Sequence, residues 1–279
     1  MKLEELEDLA TQVRRDVLRM VHHCQSGHPG ASLGCADFFV ALFFSKLKHN
    51  PKFSMEGKGE DLFFLSNGHI SPVWYSVLAR AGYFDLGELS TFRRLNSRLQ
   101  GHPSTHEGLP GVRVASGSLG QGISVGIGAA LGKRLDQDPQ RVIVLTGDGE
   151  LQEGQNWEAA MFAAHHKVDN LLVFVDYNGQ QIDGPTKEVM DNGDLSAKFK
   201  AFGWEVLEAE GNDMEKVCEG IESAFAALGN GKPVLVLLHT EMGFGVDFMV
   251  GTHKWHGIAP NDEQLEKALA QLNSTLQDY

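Results

Sequence analysis

What the chain has little of narrows the field first. It carries three cysteines, Cys24, Cys35 and Cys218, odd in number and far apart, with no C-x-x-C pair. That excludes a disulfide framework and speaks against a thiolate metal site; reduced, buried thiols in a cytoplasmic protein are expected. No apolar run approaches the roughly 20 residues that a membrane span needs. The amino-terminal MKLEELEDLA is acidic and amphipathic, unlike a signal peptide. Basic charge is scarce: 24 Lys and Arg against 37 Asp and Glu leave a net charge of −13. Nucleic acid and anionic membrane both select basic surfaces, so neither is an expected partner, and an anionic ligand has to be held by a local site. There is no internal repeat, no low-complexity tract and no G-x-x-x-x-G-K-[ST] phosphate loop. What is present is ordinary globular composition, 42% apolar and 22% charged over 279 residues, enough for one large α/β domain.

The organising stretch is Val142 to Gly184. Val142–Thr146 and Leu171–Val175 are short, continuous apolar runs rich in β-branched residues, which read as strands covered on both faces and hence parallel. Between them, Glu153 to His166 has helical apolar spacing at Trp157, Ala160, Met161 and Ala164, completing a βαβ unit. Ligands of open parallel sheets sit outside the carboxyl ends of the strands, and those ends carry Gly147-Asp148-Gly149 and Asn178. A hard cation such as Mg²⁺, or Ca²⁺ or Mn²⁺ in its place, takes oxygen ligands. Asp148 can supply a carboxylate, Asn178 an amide oxygen and Gln180 its backbone carbonyl. Gly147 and Gly149 let the backbone approach a diphosphate and offer it N–H groups near a helix start. By itself Gly-Asp-Gly is also a common turn tripeptide; its place at a strand end, followed by E-x-x-E-G and closed by Asn178, is more specific.

Along the rest of the chain, residues 3–24 form an amphipathic helix whose acidic start and basic end complement its dipole. It leads into Ser26-Gly27-His28-Pro29-Gly30, where two glycines and a proline predict that helix stops. This loop fits a rigid mount for His28 and a turn with an incidental histidine equally well. Helix is expected again over 37–46, 71–81 and 87–95, and a strand over 61–65 that delivers His69 to its carboxyl end. Residues 96–116 make a Gly-, Pro- and His-rich loop containing His102, long enough to suggest function. Gly117 to Gly122 opens a Gly- and Ala-rich helix over 123–135, whose small residues Gly126, Gly128, Ala129 and Ala130 permit close packing inside the domain or across a subunit interface. Helices over 195–202 and 214–228 alternate with strands over 204–209 and 233–238, and Asn261 caps a last helix. Repeated alternation predicts a doubly wound, mostly parallel sheet with helices on both faces.

Twelve histidines are many. His22, His23 and His49 are placed on helix surfaces or ends, and His165 and His166 read as hydrogen-bonded packing in the central helix. His28, His69, His102 and His256 each adjoin glycine in loops at the ligand-bearing edge, as a carbonyl chemistry with several proton transfers would require. Zinc is a weaker rival, since H-K-W-H at 253–256 lacks a second spaced pair. A dinucleotide site is another: Val112–Ser116 as strand and Gly120, Gly122 and Gly126 as turn give G-x-G-x-x-x-G, the wrong spacing.

Gly-Asp-Gly followed thirty residues on by Asn178 resembles the thiamine diphosphate motif, and the filling, GDGELQEGQNWEAAMFAAHHKVDNLLVFVDYN, resembles transketolase. So do SGHPGASLG at 26–34, LSNGH at 65–69, GHP at 101–103, GSLGQG at 117–122 and WHG at 255–257, in the family's order. The resemblance covers nearly the whole chain but only the amino-terminal half of an ordinary transketolase. It implies that Asp148, Asn178 and the Gln180 carbonyl hold the divalent metal, and that Gly149, Asn178, His69 and His256 touch the diphosphate. Gly117, Ser118 and Leu119 would pack on the aminopyrimidine, while His28, His102 and His256 would face the sugar's reacting oxygens. Glu153 and Glu158 would relay protons near a subunit interface. The expected protein is the diphosphate-binding subunit of a split transketolase, a single domain over 1–279 that transfers a two-carbon ketol unit from a ketose phosphate to an aldose. A second chain would supply the pyrimidine-binding domain and its glutamate, two copies of each making a heterotetramer. Alternatives of other kinds are a component of a split 2-oxo acid dehydrogenase, its decarboxylating part, or a non-catalytic partner that kept the fold.

Overall fold

Apolar residues run without a break through the central strands because both faces of their sheet are covered. The computed structural model describes residues 1–279. In chain order the elements are helices α1 (Leu3–Cys24), α2 (Pro29–Gly34) and α3 (Ala36–Ala41), strand β1 (Leu62–Leu65), α4 (Ser71–Arg80), α5 (Gly122–Leu135), β2 (Val142–Gly147), α6 (Gly154–His165), β3 (Leu171–Tyr177), the two-residue pair β4 (Gln180–Gln181) and β5 (Gly184–Pro185), α7 (Thr186–Val189), α8 (Leu195–Phe202), β6 (Glu205–Glu210), α9 (Met214–Ala226), β7 (Val234–His239) and α10 (Asp262–Gln271). The sheet has the order β1-β2-β3-β7-β6, and every neighbouring pair in it is parallel. This is the doubly wound α/β arrangement expected from the alternation of elements.

Strand side chains alternate between faces. Ile143, Leu145, Leu172, Phe174, Val234 and Val236 enter a core of 51 buried residues shared with α1, α3, α4 and α9. Their neighbours Val142, Val144, Val173, Val175, Leu235 and Leu237 enter a core of 20 under α5, α6 and α8. The second layer is thinner, and its outer surface leaves Leu135 85%, Met161 59% and Phe162 44% exposed. At the edge, β6 is only half-buried, which is why it carries Glu205, Glu208 and Glu210. On the thicker side α1 is pinned by charge as well as by its apolar face. Arg80 and Ser76 of α4 meet the buried Asp16, and Arg14 meets Asp37 of α3. Breaking such a buried pair from one side costs about 3–5 kcal/mol, because the other charge is left bare.

Three local expectations are corrected. The turn after α1 does not end helix for long: Pro29 occupies the first position of α2, where its missing N–H and fixed φ are no handicap. Residues 37–46 do not continue as one α-helix; α3 stops at Ala41, and Leu42–Lys46 widens into a π-turn, with the Ser45 hydroxyl donating to the Ala41 carbonyl. The helix over 87–95 is a 3₁₀ segment, Leu86–Thr91, capped by Asp85; the positive φ of Arg93 (57°) and Asn96 (63°) prevents its extension. Residues 112–116 form no strand, so a dinucleotide βα turn has no strand to start from. No helix is long and apolar enough to cross a membrane. The three cysteines are free thiols, with Cys35 buried and Cys24 and Cys218 half-buried.

Candidate active site

A cavity of about 340 Å³ opens at the carboxyl ends of β1, β2 and β3. It gathers His28, His69, His102, Gly117, Leu119, Gly147, Asp148, Gly149, Glu153, Asn178, Gln180 and His256 from six separate segments. Of the residues singled out in the sequence, Ser118 and Glu158 do not line it. Glu158 instead lies on a second, 380 Å³ groove between α5 and α6, beside Ile127, Leu131 and Phe162. Neither Glu153 nor Glu158 is covered by this chain.

One end of the cavity is acidic. Asp148 follows β2 and Asp176 lies in β3, and they are 2% and 1% exposed. Asp148 accepts from the Gly149 and Gly179 N–H groups, at 2.7 Å each. Burial, then the charge of Asp176, raises its pKa to about 7. Burial raises Asp176 to about 6, against hydrogen bonds from Thr240, Cys35 and Asn178. Asn178 is oriented by this second carboxylate: its Nδ2 donates to Asp176 Oδ2 at 2.8 Å, and its Oδ1 accepts from the Gln180 N–H at 2.9 Å. Each of these oxygens keeps a free lone pair. Two buried carboxylates with no cationic side chain between them, an amide oxygen and a nearby carbonyl make a donor set that fits a hard divalent cation. No group of three or more His, Cys, Asp or Glu is arranged to hold a metal, which removes the zinc alternative.

The glycines of the turn differ from expectation. Their N–H groups are already engaged within the chain, Gly147 with Glu150 Oε2 at 3.2 Å and Gly149 with Asp148 Oδ1. What the turn contributes is its shape: Cβ atoms added at 147 or 149 would meet nothing closer than 3.3 Å, so the surface stays shallow for a ligand.

The other end is imidazole. His28 and His69 have ring centroids 5.1 Å apart, His28 and His256 5.5 Å, His69 and His256 5.0 Å and His28 and His102 6.3 Å. Each ring is set by a close backbone approach. A Cβ at Gly30, after His28, would lie 2.6 Å from Met242, one at Gly101 would lie 2.7 Å from Arg93, and one at Gly117 would lie 2.7 Å from the His102 ring. Burial, then the neighbouring His256, Arg93 and His102, lowers His28 to about 4, and burial lowers His69, His102 and His256 too. These imidazoles are therefore neutral at pH 7. They are hydrogen-bonding groups, not the half-protonated shuttles expected from their ordinary pKa. His165 and His166 carry no chemistry and no buried packing either; both are exposed at the end of α6.

Sequence reading missed Asn67 and Glu150. Asn67 is 1% exposed and lines the cavity, yet neither Oδ1 nor Nδ2 has a partner; His28 Nδ1, His256 Nδ1 and Gln180 Oε1 are likewise buried and unpaired. Such orphans are rare unless a ligand or water completes them, so they point to a polar occupant. Glu150 is buried at 3%, and burial raises its pKa against hydrogen bonds from Ser66, Gly120, Thr146 and Gly147. The one sequence signal for Asn67 was its place beside His69 at the end of β1.

The family profile described as the transketolase thiamine diphosphate binding domain matches residues 6–275. One of the two kinds of chain that form the apulose-4-phosphate transketolase of Actinobacillus succinogenes is 38% identical over 270 residues, covering 96% of each sequence. The 6-deoxy-6-sulfo-D-fructose transketolase subunit SqwG of a Clostridium species is 36% identical over 271 residues, 96% of each. The crystal structure of transketolase from Campylobacter jejuni superposes with a TM-score of 0.91 at 34% identity, over 100% of this chain and 44% of that one. The chain thus spans nearly the full length of the relatives named as subunits but less than half of a one-chain transketolase. The sheet order, the cavity at its carboxyl edge and these matches together establish that the chain belongs to the transketolase family, with the thiamine diphosphate binding domain at residues 6–275.

Proposed function

We propose that this chain is the diphosphate- and metal-binding subunit of a two-chain transketolase, which moves a two-carbon ketol unit from a ketose phosphate to an aldose acceptor in the cytoplasm. The observation that carries the reading is the single cavity with uncompensated carboxylates at one end and four clustered imidazoles at the other. Asp148, Asn178 Oδ1 and the Gln180 carbonyl would hold Mg²⁺ or a similar cation, with diphosphate oxygens completing its shell. Thiamine diphosphate, when bound, supplies the electron sink for breaking and making the bond between two sugar carbons. The chain's residues do the rest. Asp176 turns the Asn178 amide so that its oxygen faces the cation. Neutral His28, His102 and His256 donate to and accept from sugar oxygens without adding charge, each able to take or return a proton at a ring nitrogen. Gly117 and Leu119 form one wall, and Glu153 stands at the rim.

A partner is supported by what the chain leaves uncovered. The face of α5 and α6 exposes Leu135, Met161 and Phe162 beside the open Gly128, and Glu153 and Glu158 lie along the same side. We assign this face to contact with a second polypeptide that brings a pyrimidine-binding domain and its glutamate, in a complex of two copies of each. The relatives named as subunits bear two different sugars in their names, so the ketose is left open. The test is an assay of the purified chain with thiamine diphosphate, Mg²⁺ and ketose phosphates, alone and with the partner that co-purifies from its source. Turnover only in the mixture is expected; robust turnover by the chain alone would overturn the two-chain reading.

A further inference from the structure

Glu150 stands one residue beyond Gly149, outside every role given above, and its carboxylate joins two parts of the cavity wall that sequence keeps thirty residues apart. Oε1 accepts from the Gly120 N–H at 2.7 Å and from the Ser66 hydroxyl at 2.5 Å. Oε2 accepts from the Thr146 hydroxyl at 2.7 Å and the Gly147 N–H at 3.2 Å. Ser66 Oγ in turn accepts from the Gly122 N–H at 3.0 Å. Four donors on one buried carboxylate are enough to hold it as an anion without a cationic partner. The close fit extends to the backbone: a Cβ at Gly122 would lie 2.2 Å from Ser66 Oγ, and Gly120 has φ +88°.

The two sides of this clamp depend on it unequally. The Asp148 turn has anchors of its own, with the Asp148 N–H on the Asp176 carbonyl at 3.1 Å, the Asp148 carboxylate on two further amides, and Asn192 Nδ2 on the Asp148 carbonyl at 2.7 Å. Between Gly117 and Gln121, in contrast, Gly120 is the one residue whose N–H finds an acceptor, and that acceptor is Glu150. We infer that Glu150 is a positioning residue that fixes the 117–122 loop at a set distance from the Asp148 turn, so that one ligand can touch both at once. The inference rests on the reading of the cavity as a thiamine diphosphate site, because it assigns the turn to the diphosphate and the loop to the organic part of the same molecule.

The role separates from simple folding by comparing two ligands on the full chain in excess Mg²⁺: thiamine diphosphate, which spans turn and loop, and inorganic pyrophosphate, which reaches the turn alone. In Glu150→Ala, thiamine diphosphate affinity should fall about tenfold or more while pyrophosphate affinity stays within about threefold, the range expected for loss of an outer positioning contact. Glu150→Gln should rescue the preference. Its Oε1 can stay on Gly120, the Ser66 and Thr146 hydroxyls can rotate to suit, and the one N–H left unpaired is that of Gly147, on the turn. Should Glu150→Ala fail to fold, Ser66→Ala reads the same link through Gly122, with an expected loss of about threefold for thiamine diphosphate alone. Equal weakening of both ligands, no weakening of either, or equal affinity of the two for the wild-type chain would overturn the inference. A wild-type chain that binds neither would instead sink the reading of the cavity itself, and this inference with it.

Discussion

The two ends of the cavity respond to the same burial in opposite ways. At the acidic end, removal from water holds protons on carboxylates that would be ionised in solution, raising Asp148 to about 7 and Asp176 to about 6. At the imidazole end, it strips protons from rings that would titrate near neutrality, lowering His28 to about 4. Both ends are thus driven towards neutrality, but they are unlike in what they lack. The carboxylates lack a counterion and keep lone pairs free; the imidazoles lack hydrogen-bond partners. One end asks for a cation, the other for an uncharged polar group, and a metal diphosphate joined to a sugar-bearing ring answers both.

The contrast is broken most forcefully at Asp148. Asp148→Ala should reduce metal-dependent thiamine diphosphate uptake by roughly 100-fold or more, measured by calorimetry, since a direct ligand exceeds the 10–100-fold typical of outer groups. His28→Ala should do the reverse, leaving uptake within about threefold and lowering turnover of the two-chain enzyme by about 10²-fold, as for loss of a group that moves a proton. If both variants lose uptake equally, the two ends have no separate roles.

Protonation offers a milder probe. A carboxyl whose folded pKa lies above its unfolded value contributes stability below the unfolded value and loses it as pH rises through the folded one. For Asp148 that window runs from 3.8 up to about 7. An imidazole lowered from 6.5 to about 4 contributes stability above 6.5 and loses it as pH falls towards 4. At pH 8, therefore, Asp148 is an uncompensated buried anion ready for a cation, whereas at pH 5.5 it holds its proton and competes with one. Mg²⁺ should raise the melting temperature by a few degrees more at pH 8 than at pH 5.5. Equal shifts at the two pH values would mean that the cation binds elsewhere.

The smallest effects lie between the ends and on the open face. Gly122→Ala places a methyl against Ser66 and should destabilise by about 1–3 kcal/mol, while Gly128→Ala, with nothing within 4 Å, should stabilise by about 0.5–1 kcal/mol in chemical denaturation. Phe162→Glu should leave stability within about 0.5 kcal/mol and weaken capture of the second polypeptide in pull-down. Unimpaired capture would remove the α5–α6 face from the contact.

Several features were legible before any coordinates. Uninterrupted β-branched runs at 142–146 and 171–175 announced buried parallel strands, and α1 and α8 begin and end where apolar spacing and capping placed them. Glycine-flanked histidines in four loops were visible as a set, because loops at a sheet's carboxyl edge converge whatever their order in the chain. The π-turn at Leu42–Lys46 was not legible, since its spacing reads as ordinary helix, and neither was the resumption of helix at Pro29. Asn67 and Glu150 look like common loop residues in the sequence; their importance lies in burial and, for Glu150, in partners 30 and 84 positions away.

By itself, then, the order of amino acids determined the alternation of strand and helix, the residue types available at the strand ends, and the excess of negative charge that forces an anion to be held locally. These follow from periodicity and from chemistry carried within a few residues. The folded chain alone decided which of those groups are charged, which are orphaned and which are tied together, because desolvation and hydrogen bonding are properties of neighbours in space. Asp148 reads the same in the sequence whether its carboxyl titrates at 3.8 or about 7; only the packing of β2 against β3, with Asp176 beside it, selects the second.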